Sequence, residues 1–339
     1  MGSLARVGRP AAWVAGLLMM MMVLPAFARF RERRQGLKRI ESIPASCRES
    51  RYGSGDWIRT LPFGGRNRRY VVHVPPGYDR GRRYPVVLFF HGGGGDAVHT
   101  RSFPGWEGLA DAEGFLVVYP DGTGIMKNRG HSFNAGSCCG YARDHQVDDV
   151  GFTAALLDEV ERTFCVDKAR VYATGFSNGA MMSYRLACEL SSRIAAIGPV
   201  SGTLGIDNCR PSRPVPVIHF HGTADPYEPY KGGKGRPFPG KFKANVFRSM
   251  NDMTQTWRGI IGAPDPPAST VRRGGATGVT WRGRGQSEFT LWTLEGGGHT
   301  WPGGGKIPGA FLLGSVNRDV TATQLIWGFF RRHSMGPAA

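Results

Sequence analysis

The chain has 339 residues, of which 41% are hydrophobic and 20% charged, and its formal net charge at pH 7 is +17. This length is compatible with one large domain or two small ones, and it suffices for a buried core. The arginines form no periodic stripe, no zinc-finger spacing and no RNA-binding aromatic motif, so the positive charge gives no evidence for nucleic acid as a partner. The charge instead favours a basic, soluble protein with a disordered arm, although an anionic cell wall or an acidic polysaccharide would also suit it.

The N-terminus has the pattern of a secretory signal peptide. Arg6 and Arg9 precede an apolar run of fourteen residues, 11–24, and small residues follow up to Ala28. Fourteen apolar residues are fewer than the ~20 that a membrane-spanning helix needs, so a membrane anchor is the weaker interpretation. We therefore expect cleavage after Ala28, export from the cytoplasm, and no integral membrane span in the mature protein. Without Arg6 and Arg9 the net charge would be +15.

The domain organisation predicted from these features has three parts. Residues 1–28 are the signal peptide, residues 29–60 a basic N-terminal arm and lead-in, and residues 61–335 a single folded domain. Neither an internal repeat nor a convincing interdomain linker is found, and the sequence does not indicate an oligomeric state.

The expected mature chain contains six cysteines. An even number in an exported protein suggests up to three disulfides, and six cysteines allow 15 pairings, among which the sequence alone does not choose. Adjacent Cys138 and Cys139 are not expected to pair with one another, because that geometry strains the intervening peptide. No pair has zinc-binding CxxC spacing, so we expect the cysteines to be structural and predict no metal. They are Cys47, Cys138, Cys139, Cys165, Cys188 and Cys209.

Strand-like and helix-like segments alternate along the chain, which is typical of an α/β fold with a mostly parallel central sheet flanked by helices. An early segment alternates polar and apolar residues, whereas the later strands are continuously apolar, as expected of strands covered on both faces. The early strands predict an antiparallel start to the sheet. Asp148 or Asp149 is the expected N-cap of the first helix, and residues 230–243 form a long Gly/Pro/Lys loop. Predicted strands are residues 69–74, 85–90, 115–119, 170–174, 214–220 and 289–293, and predicted helices are 150–164, 178–190, 244–259 and 320–331.

A glycine-rich loop follows the predicted strand 85–90. Its sequence, HGGGGD from His91 to Asp96, resembles loops whose exposed backbone N–H groups stabilise a tetrahedral oxyanion. Gly93 is the expected donor of this loop, with Gly92 and Gly94 as the alternatives. A phosphate-binding glycine loop is disfavoured because the Gly-Lys-Ser/Thr ending is absent. His91, at the end of the strand, is expected to hydrogen-bond locally and fix the loop.

Ser177 is the candidate nucleophile. It lies in the pattern GFSNG, between a predicted strand and a predicted helix, a setting that projects a serine hydroxyl above the sheet. Gly175 and Gly179 are expected because a side chain there would collide with the neighbouring strand and helix. The helix N-terminus adds partial positive charge near an attacked carbonyl, and the N–H of Asn178 is the second expected oxyanion donor.

A serine hydroxyl needs a general base that is oriented by a carboxylate. Folds with this turn supply these groups in the chain order Ser, Asp or Glu, His, each from a loop after a later strand. Asp225 follows the strand 214–220 within HGTADP, and His299 lies in the glycine-rich loop GGGHTWPGG. We therefore predict Asp225 as the acid and His299 as the base.

Other polar residues are weaker candidates for these roles. His219 and His221 would share one face of a strand and could hold a metal together with Asp225. A structural histidine that orients the loop explains His221 equally well, so the metal site is disfavoured. Asp148 and Asp149 precede Ser177 and are explained as helix caps.

Six motifs together resemble the secreted esterases grouped as the polyhydroxybutyrate depolymerase and feruloyl esterase family. They lie between about residues 69 and 330 and read FFHGGGGDA, VVYPDGT, VDDVGF, VYATGFSNGAMMSYRLAC, HFHGTADPYEPY and LEGGGHTWPGG. The resemblance implies an α/β-hydrolase fold and a cofactor-free serine esterase, with Ser177, Asp225 and His299 as its triad. Two departures are visible: Gly262-Ala263 stands where relatives often have Gly-Cys, and the loop 231–243 is long and basic.

The expected mechanism is acyl transfer to Ser177 with His299 as base, followed by release of the acid by water. Tyr227, Tyr230 and Trp301 flank the acid and base loops and are candidates for lining the substrate pocket. The substrate is expected to be a polyhydroxyalkanoate-type ester or a feruloyl or acetyl ester on polysaccharide, and the sequence does not choose between them. Two alternatives remain: an acyltransferase with the same triad, and a non-catalytic protein that binds cell wall or polysaccharide.

Overall fold

The computed structural model describes residues 38–39, 47, 49–50, 52–126, 130–237, 245–305 and 312–336. The predicted signal peptide lies outside the described residues. The chain divides into the units Met1–Lys38 and Arg39–Ala339, and everything described below except Lys38 belongs to the second. Among the described residues, no helix combines the length and apolar character needed to cross a bilayer.

Thirteen strands and six α-helices are defined within the described part of the chain. The strands are β1 (Lys38–Arg39), β2 (Gly55–Phe63), β3 (Arg66–Val74), β4 (Tyr84–Phe90), β5 (Leu116–Pro120), β6 (Val166–Phe176), β7 (Ala196–Val200), β8 (Val217–Gly222), β9 (Gly233–Lys234), β10 (Val246–Phe247), β11 (Ser269–Arg273), β12 (Ala276–Arg282) and β13 (Glu288–Leu294). The helices are α1 (Trp106–Glu113), α2 (Gly140–Asp144), α3 (Asp149–Thr163), α4 (Asn178–Glu189), α5 (Met250–Ile261) and α6 (Ala322–Phe330), and Thr100–Ser102 forms a short 3-10 helix.

One large sheet organises the second unit, with strand order β2-β3-β5-β4-β6-β7-β8-β13-β12-β11. The strands from β5 to β13 in this order run parallel, whereas β2 and β3 at one side and β12 and β11 at the other pair antiparallel. Every residue of β4, β5, β7 and β8 is buried, as expected of parallel strands that helices cover on both faces. The predicted α/β fold, with its mostly parallel sheet and antiparallel start, is confirmed.

The helix nearest the candidate nucleophile is almost wholly internal. Ten of the twelve residues of α4 are buried, and the helix packs against β4, β6 and β7. Of the two candidate N-caps for the first predicted helix, Asp148 is the one that forms, since its side chain accepts a hydrogen bond from the N–H of Gly151 at the start of α3. The central sheet thus holds the β6–α4 turn in a fixed position.

The predicted helix 244–259 was wrong at its start. Residue 244 lies outside the described residues, and Val246 and Phe247 form the short strand β10, which pairs with β9. Helix α5 begins only at Met250, because the Ser249 side chain caps the N–H of Asp252 and the Asp252 side chain caps Ser249 in return. This reciprocal cap fixes the helix start more strongly than the apolar spacing that extended the prediction.

All six cysteines are paired, as Cys47–Cys165, Cys138–Cys139 and Cys188–Cys209. The expectation that Cys138 and Cys139 would not bridge each other was therefore wrong. The peptide bond between them is cis, and their Cα atoms lie 3.1 Å apart, so the pairing occurs across a peptide that departs from the usual trans form.

Candidate active site

Ser177 lies at the turn between β6 and α4, with φ 55° and ψ −123°, a backbone conformation that non-glycine residues rarely adopt. Its N–H donates to the carbonyl of Val200 on the neighbouring strand at 3.0 Å. The turn is tight, because a Cβ at Gly175 or Gly179 would collide with the carbonyl of Phe90. The close approach of β4, β6 and α4 therefore requires both glycines, as the sequence predicted, and it presents Ser177 above the sheet.

The loops after β8 and β13 bring Asp225 and His299 together. These strands are adjacent and parallel, so their C-terminal ends meet at one edge of the sheet. His299 Nδ1 lies 2.7 Å from Asp225 Oδ2, and both residues are buried. Because an ionised carboxylate only accepts hydrogen bonds, Nδ1 carries the proton and Nε2 is left to accept one.

Asp225 is held in place by its own loop. Its Oδ1 accepts the N–H groups of Tyr227 and Glu228, each at 2.9 Å. Burial works to raise the pKa of Asp225, but the electrostatic attraction of His299 and the hydrogen bonds from His299 and from the N–H of Glu228 outweigh it, so the pKa lies below its ordinary value. The carboxylate is therefore ionised at neutral pH and suited to orient the imidazole.

The two predicted oxyanion donors line the same pocket as Ser177 and His299. The N–H of Gly94 donates to His131 and that of Gly95 donates to Gly92, whereas no hydrogen bond among the described residues engages the N–H of Gly93. The backbone N–H of Asn178, at the start of α4, likewise donates no hydrogen bond among the described residues. Two N–H groups beside Ser177 thus remain able to receive negative charge on an oxygen.

The Asn178 side chain and the His91 ring fix the walls around these donors. The Asn178 amide oxygen accepts the N–H of Phe133 at 2.7 Å, and its amide nitrogen donates to the Phe133 carbonyl at 2.9 Å. His91 Nε2 accepts the N–H of Gly122 at 3.0 Å, so its protonated Nδ1 donates to the carbonyl of Gly92 at 2.8 Å. The local role predicted for His91 is confirmed.

His219 and His221 form a directional chain of hydrogen bonds. His221 Nε2 donates to the carbonyl of Glu228 at 2.7 Å, its Nδ1 accepts from His219 Nε2 at 3.1 Å, and His219 Nδ1 accepts from the Tyr184 hydroxyl at 2.9 Å. Burial lowers the pKa of both histidines, so the chain is neutral. All four ring nitrogens are engaged, which accounts for both residues without a metal and supports the loop-orienting role considered for His221.

In the described part of the chain, one of the three candidate substrate-binding residues lines the pocket that contains Ser177 and two do not. Tyr227 lines the pocket, and its ring centroid is 5.4 Å from that of His299. The Tyr230 hydroxyl lies 2.7 Å from Thr293 Oγ1, and the buried Trp301 donates to Thr323 and packs against Phe89. Within the described residues, Tyr230 and Trp301 do not line this pocket.

The pocket contains residues that the sequence did not single out. Glu228 could have been noticed as a second acid three residues after Asp225. The exposed Arg236 reaches the pocket from the long basic loop, and the partly buried Asn245 and Phe247 reach it from a segment that was predicted as helix. The additional lining residues are Cys138, Cys139, Glu228, Arg236, Asn245 and Phe247.

Solved structures that resemble this chain include an acetyl xylan esterase from Aspergillus awamori, with a TM-score of 0.51 and 14% identity over 70% of this chain and 92% of that one. An S-formylglutathione hydrolase from Agrobacterium tumefaciens gives a TM-score of 0.53 at 12% identity, over 84% of this chain and 97% of that one. At such low identity these matches establish the fold alone.

Sequence comparisons identify the family. Residues 146–242 match the family model described as phospholipase/carboxylesterase. A putative esterase of Nocardia uniformis, NocK, is 31% identical over 78% of this chain and 79% of its own length. Feruloyl esterase B of Piromyces equi is 31% identical over 72% of this chain but only 45% of its own length, so this chain spans less than half of that relative. The chain is thus a carboxylic ester hydrolase of the α/β-hydrolase superfamily, in the family to which these esterases belong.

Proposed function

We propose that the protein is a serine esterase in which Ser177 is the nucleophile, His299 the general base and Asp225 the residue that orients the base. The observation that carries this proposal is the 2.7 Å contact between His299 Nδ1 and Asp225 Oδ2 in a pocket that Ser177 also lines. The strained turn at Ser177 supports it, since such strain persists only where the surrounding structure imposes it.

The proposed reaction runs in two halves. His299 Nε2 takes the Ser177 proton as Oγ attacks the ester carbonyl, and the N–H groups of Gly93 and Asn178 receive the oxyanion. His299 then gives the proton to the departing alcohol oxygen, which leaves an acyl group on Ser177. Water attacks this acyl-enzyme with His299 again as base. His299 then returns that proton to Ser177 Oγ as the bond between Oγ and the acyl carbon breaks and the carboxylic acid leaves.

The proposed substrates are feruloyl or acetyl esters on polysaccharide, or esters of the polyhydroxyalkanoate type. Names of relatives favour the first class, since they include feruloyl esterase C of Emericella nidulans and a bifunctional acetylxylan esterase/xylanase of Neocallimastix patriciarum. The rings of Tyr227 and Phe247 in the pocket wall suit an aromatic or aliphatic acyl group.

We also propose that the enzyme acts outside the cytoplasm. The N-terminal pattern of residues 1–28 and the three disulfides both favour an oxidising compartment. In this proposal, residues 29–60 lead into a catalytic domain over residues 61–335.

The first experiment compares wild type with Ser177→Ala on p-nitrophenyl butyrate, methyl ferulate and a 3-hydroxybutyrate oligomer. Ser183→Ala is the matched control, because Ser183 is a buried serine on the same helix whose hydroxyl donates to the carbonyl of Gly179, away from the pocket lining. We expect Ser177→Ala to lose at least ~10³-fold in kcat and Ser183→Ala to retain activity. The preferred ester names the substrate class.

Three outcomes would redirect the proposal. Transfer of the acyl group to an added sugar in preference to water would support the acyltransferase alternative. Equal turnover by wild type and Ser177→Ala would remove the proposed nucleophile, and absence of turnover in both would favour a binding protein.

A further inference from the structure

Glu228 is a buried carboxyl group that the esterase mechanism above leaves unused. We propose that it acts in its un-ionised form as a hydrogen-bond donor to Ser177 Oγ and positions that oxygen for proton transfer to His299. The inference rests on the proposed function, since it adds a positioning residue to the same site.

The position of Glu228 is fixed from three sides. Its backbone N–H donates to Asp225 Oδ1 at 2.9 Å, and its carbonyl accepts from His221 Nε2 at 2.7 Å. The side chain lies in the pocket wall, where Oε2 accepts the N–H of Thr203 at 3.2 Å. Only 2% of the residue is exposed, so its carboxyl is held in one place.

The carboxyl of Glu228 and the side chain of Ser177 line the same pocket and interact with one another. Among the described residues, no hydrogen bond joins Ser177 Oγ to His299, and the imidazole is engaged through Nδ1 alone. Contacts with a base are often long without substrate and tighten when it binds. Glu228 is therefore placed to hold the nucleophile in this resting arrangement.

The charges around Glu228 oppose its ionisation. On its own loop lies the carboxylate of Asp225, and the β8 histidine His221, which binds its carbonyl, is neutral. His299 and Arg236 share the pocket wall, but no described ion pair joins either to Glu228, and Arg236 is exposed. Burial, followed by the charge of Asp225, raises the pKa of Glu228 well above its ordinary value, and the backbone hydrogen bond from Thr203 and the interaction with Ser177 oppose this only in part.

A neutral carboxyl has one oxygen that accepts and one that donates. With Oε2 accepting from Thr203, the other oxygen can donate its O–H to Ser177 Oγ and leave the serine proton for His299 Nε2. No proton is lost from Glu228 in this arrangement, so the reaction balances as before. An ionised Glu228 would instead compete with His299 for the serine proton and place negative charge beside the oxyanion.

The test compares wild type, Glu228→Gln and Glu228→Ala, with Glu295→Gln as the matched control. Glu295 is an exposed acid at the end of β13 whose side chain accepts from Thr223 outside the pocket. Kinetic constants are measured on p-nitrophenyl butyrate, and thermal melting checks that each variant folds. An infrared difference spectrum of wild type against Glu228→Gln at neutral pH then reports the carbonyl band of a protonated carboxyl.

We expect the protonated-carboxyl band in wild type and its loss in Glu228→Gln. The glutamine amide can still donate to Ser177 and accept from Thr203, so kcat should stay within about threefold of wild type. Glu228→Ala should lose at least about tenfold in kcat with little change in KM, because the serine loses its donor. Glu295→Gln should match wild type.

Absence of the protonated band would overturn the proposal, and so would a loss in Glu228→Gln as large as that in Glu228→Ala. The infrared result does not depend on turnover, and it stands even if the alanine variant fails to fold. Failure of the proposed function would appear separately, as activity that survives Ser177→Ala.

Discussion

Asp121 offers a test of how the glycine-rich loop is anchored. It follows β5, and its Oδ1 accepts the N–H of Ala97 at 2.6 Å, while Arg69 binds its other oxygen. His131 Nδ1 lies 3.6 Å from Oδ1. Replacement by asparagine keeps an acceptor for Ala97 but removes the negative charge that Arg69 and His131 face.

The pKa of Asp121 gives the size of the effect. Burial works to raise this pKa, but His131, His91 and Arg69 outweigh it and lower the pKa from 3.8 to about 2. A lowering of this size corresponds to about 2 kcal/mol of folding stability, and the side chain is only 3% exposed, so solvent screening removes little of it. Because the folded-state pKa is depressed, this contribution is present at neutral pH and is lost as the pH falls through about 2.

Asp121→Asn should therefore unfold with about 2 kcal/mol less free energy than wild type at neutral pH, or melt roughly 4–8 °C lower. Towards pH 3 the difference should shrink to about half. Urea unfolding followed by tryptophan fluorescence at both pH values measures it. Asp158→Asn is the control, since Asp158 is an exposed partner of Arg193 and should contribute less than ~1 kcal/mol. A difference for Asp121→Asn that is absent at neutral pH, or unchanged by acid, would refute the electrostatic reasoning.

Three further predictions concern other carboxylates and their partners. Asp225→Asn should reduce kcat by ~10³–10⁴. The asparagine amide would donate to Nδ1 of His299 and so place the ring proton on Nε2, which could then no longer accept the serine proton. A loss below about tenfold in the p-nitrophenyl butyrate assay would contradict this. Burial lowers the pKa of His73, but hydrogen bonds to two carboxylates at 2.6 and 2.9 Å outweigh it and raise the pKa. His73→Gln should thus destabilise most below pH ~6.5, with the difference in urea unfolding shrinking as the pH rises through the raised pKa, and a constant difference would argue against this. Arg68 and Asp149 form a buried ion pair at 2.6 Å, so Arg68→Met should lower the free energy of unfolding in urea by ~3–5 kcal/mol. Adding Asp149→Leu should restore most of that free energy. If it does not, the loss comes from packing and not from the unpaired charge.

The central strands could be predicted from the sequence because burial on both faces requires a continuous run of apolar residues. Every residue of β4 is buried, and its continuous apolar run predicts burial on both faces. The opposite holds for β11, whose five residues are all exposed and whose strand conformation depends on pairing with β12. β7 was missed because Gly198 and Pro199 interrupt a five-residue run, although its parallel neighbours fix its position.

The site divides in the same way between local and long-range information. The turn at Ser177 and the loop that carries Asp225 are defined by residues close in sequence, so their motifs could be recognised in the sequence. Asn245 and Phe247 reach the pocket only because the chain folds back over it, and no local pattern reports such an approach. The pairing of Cys138 with Cys139 was missed because steric reasoning about adjacent residues excluded it.

Asp225 and Glu228 are three residues apart on one loop, yet their surroundings favour opposite charge states. Asp225 receives two backbone N–H groups and the His299 imidazole, all of which stabilise an anion. Glu228 receives one backbone N–H and faces the anion of Asp225, so a second negative charge there would be poorly compensated. Two carboxyl groups with separated pKa values commonly divide two tasks in an active site. The ionised one suits orientation of the base, and the neutral one suits donation to the nucleophile. The loop that supplies the acid can thereby set the positions of both His299 and Ser177.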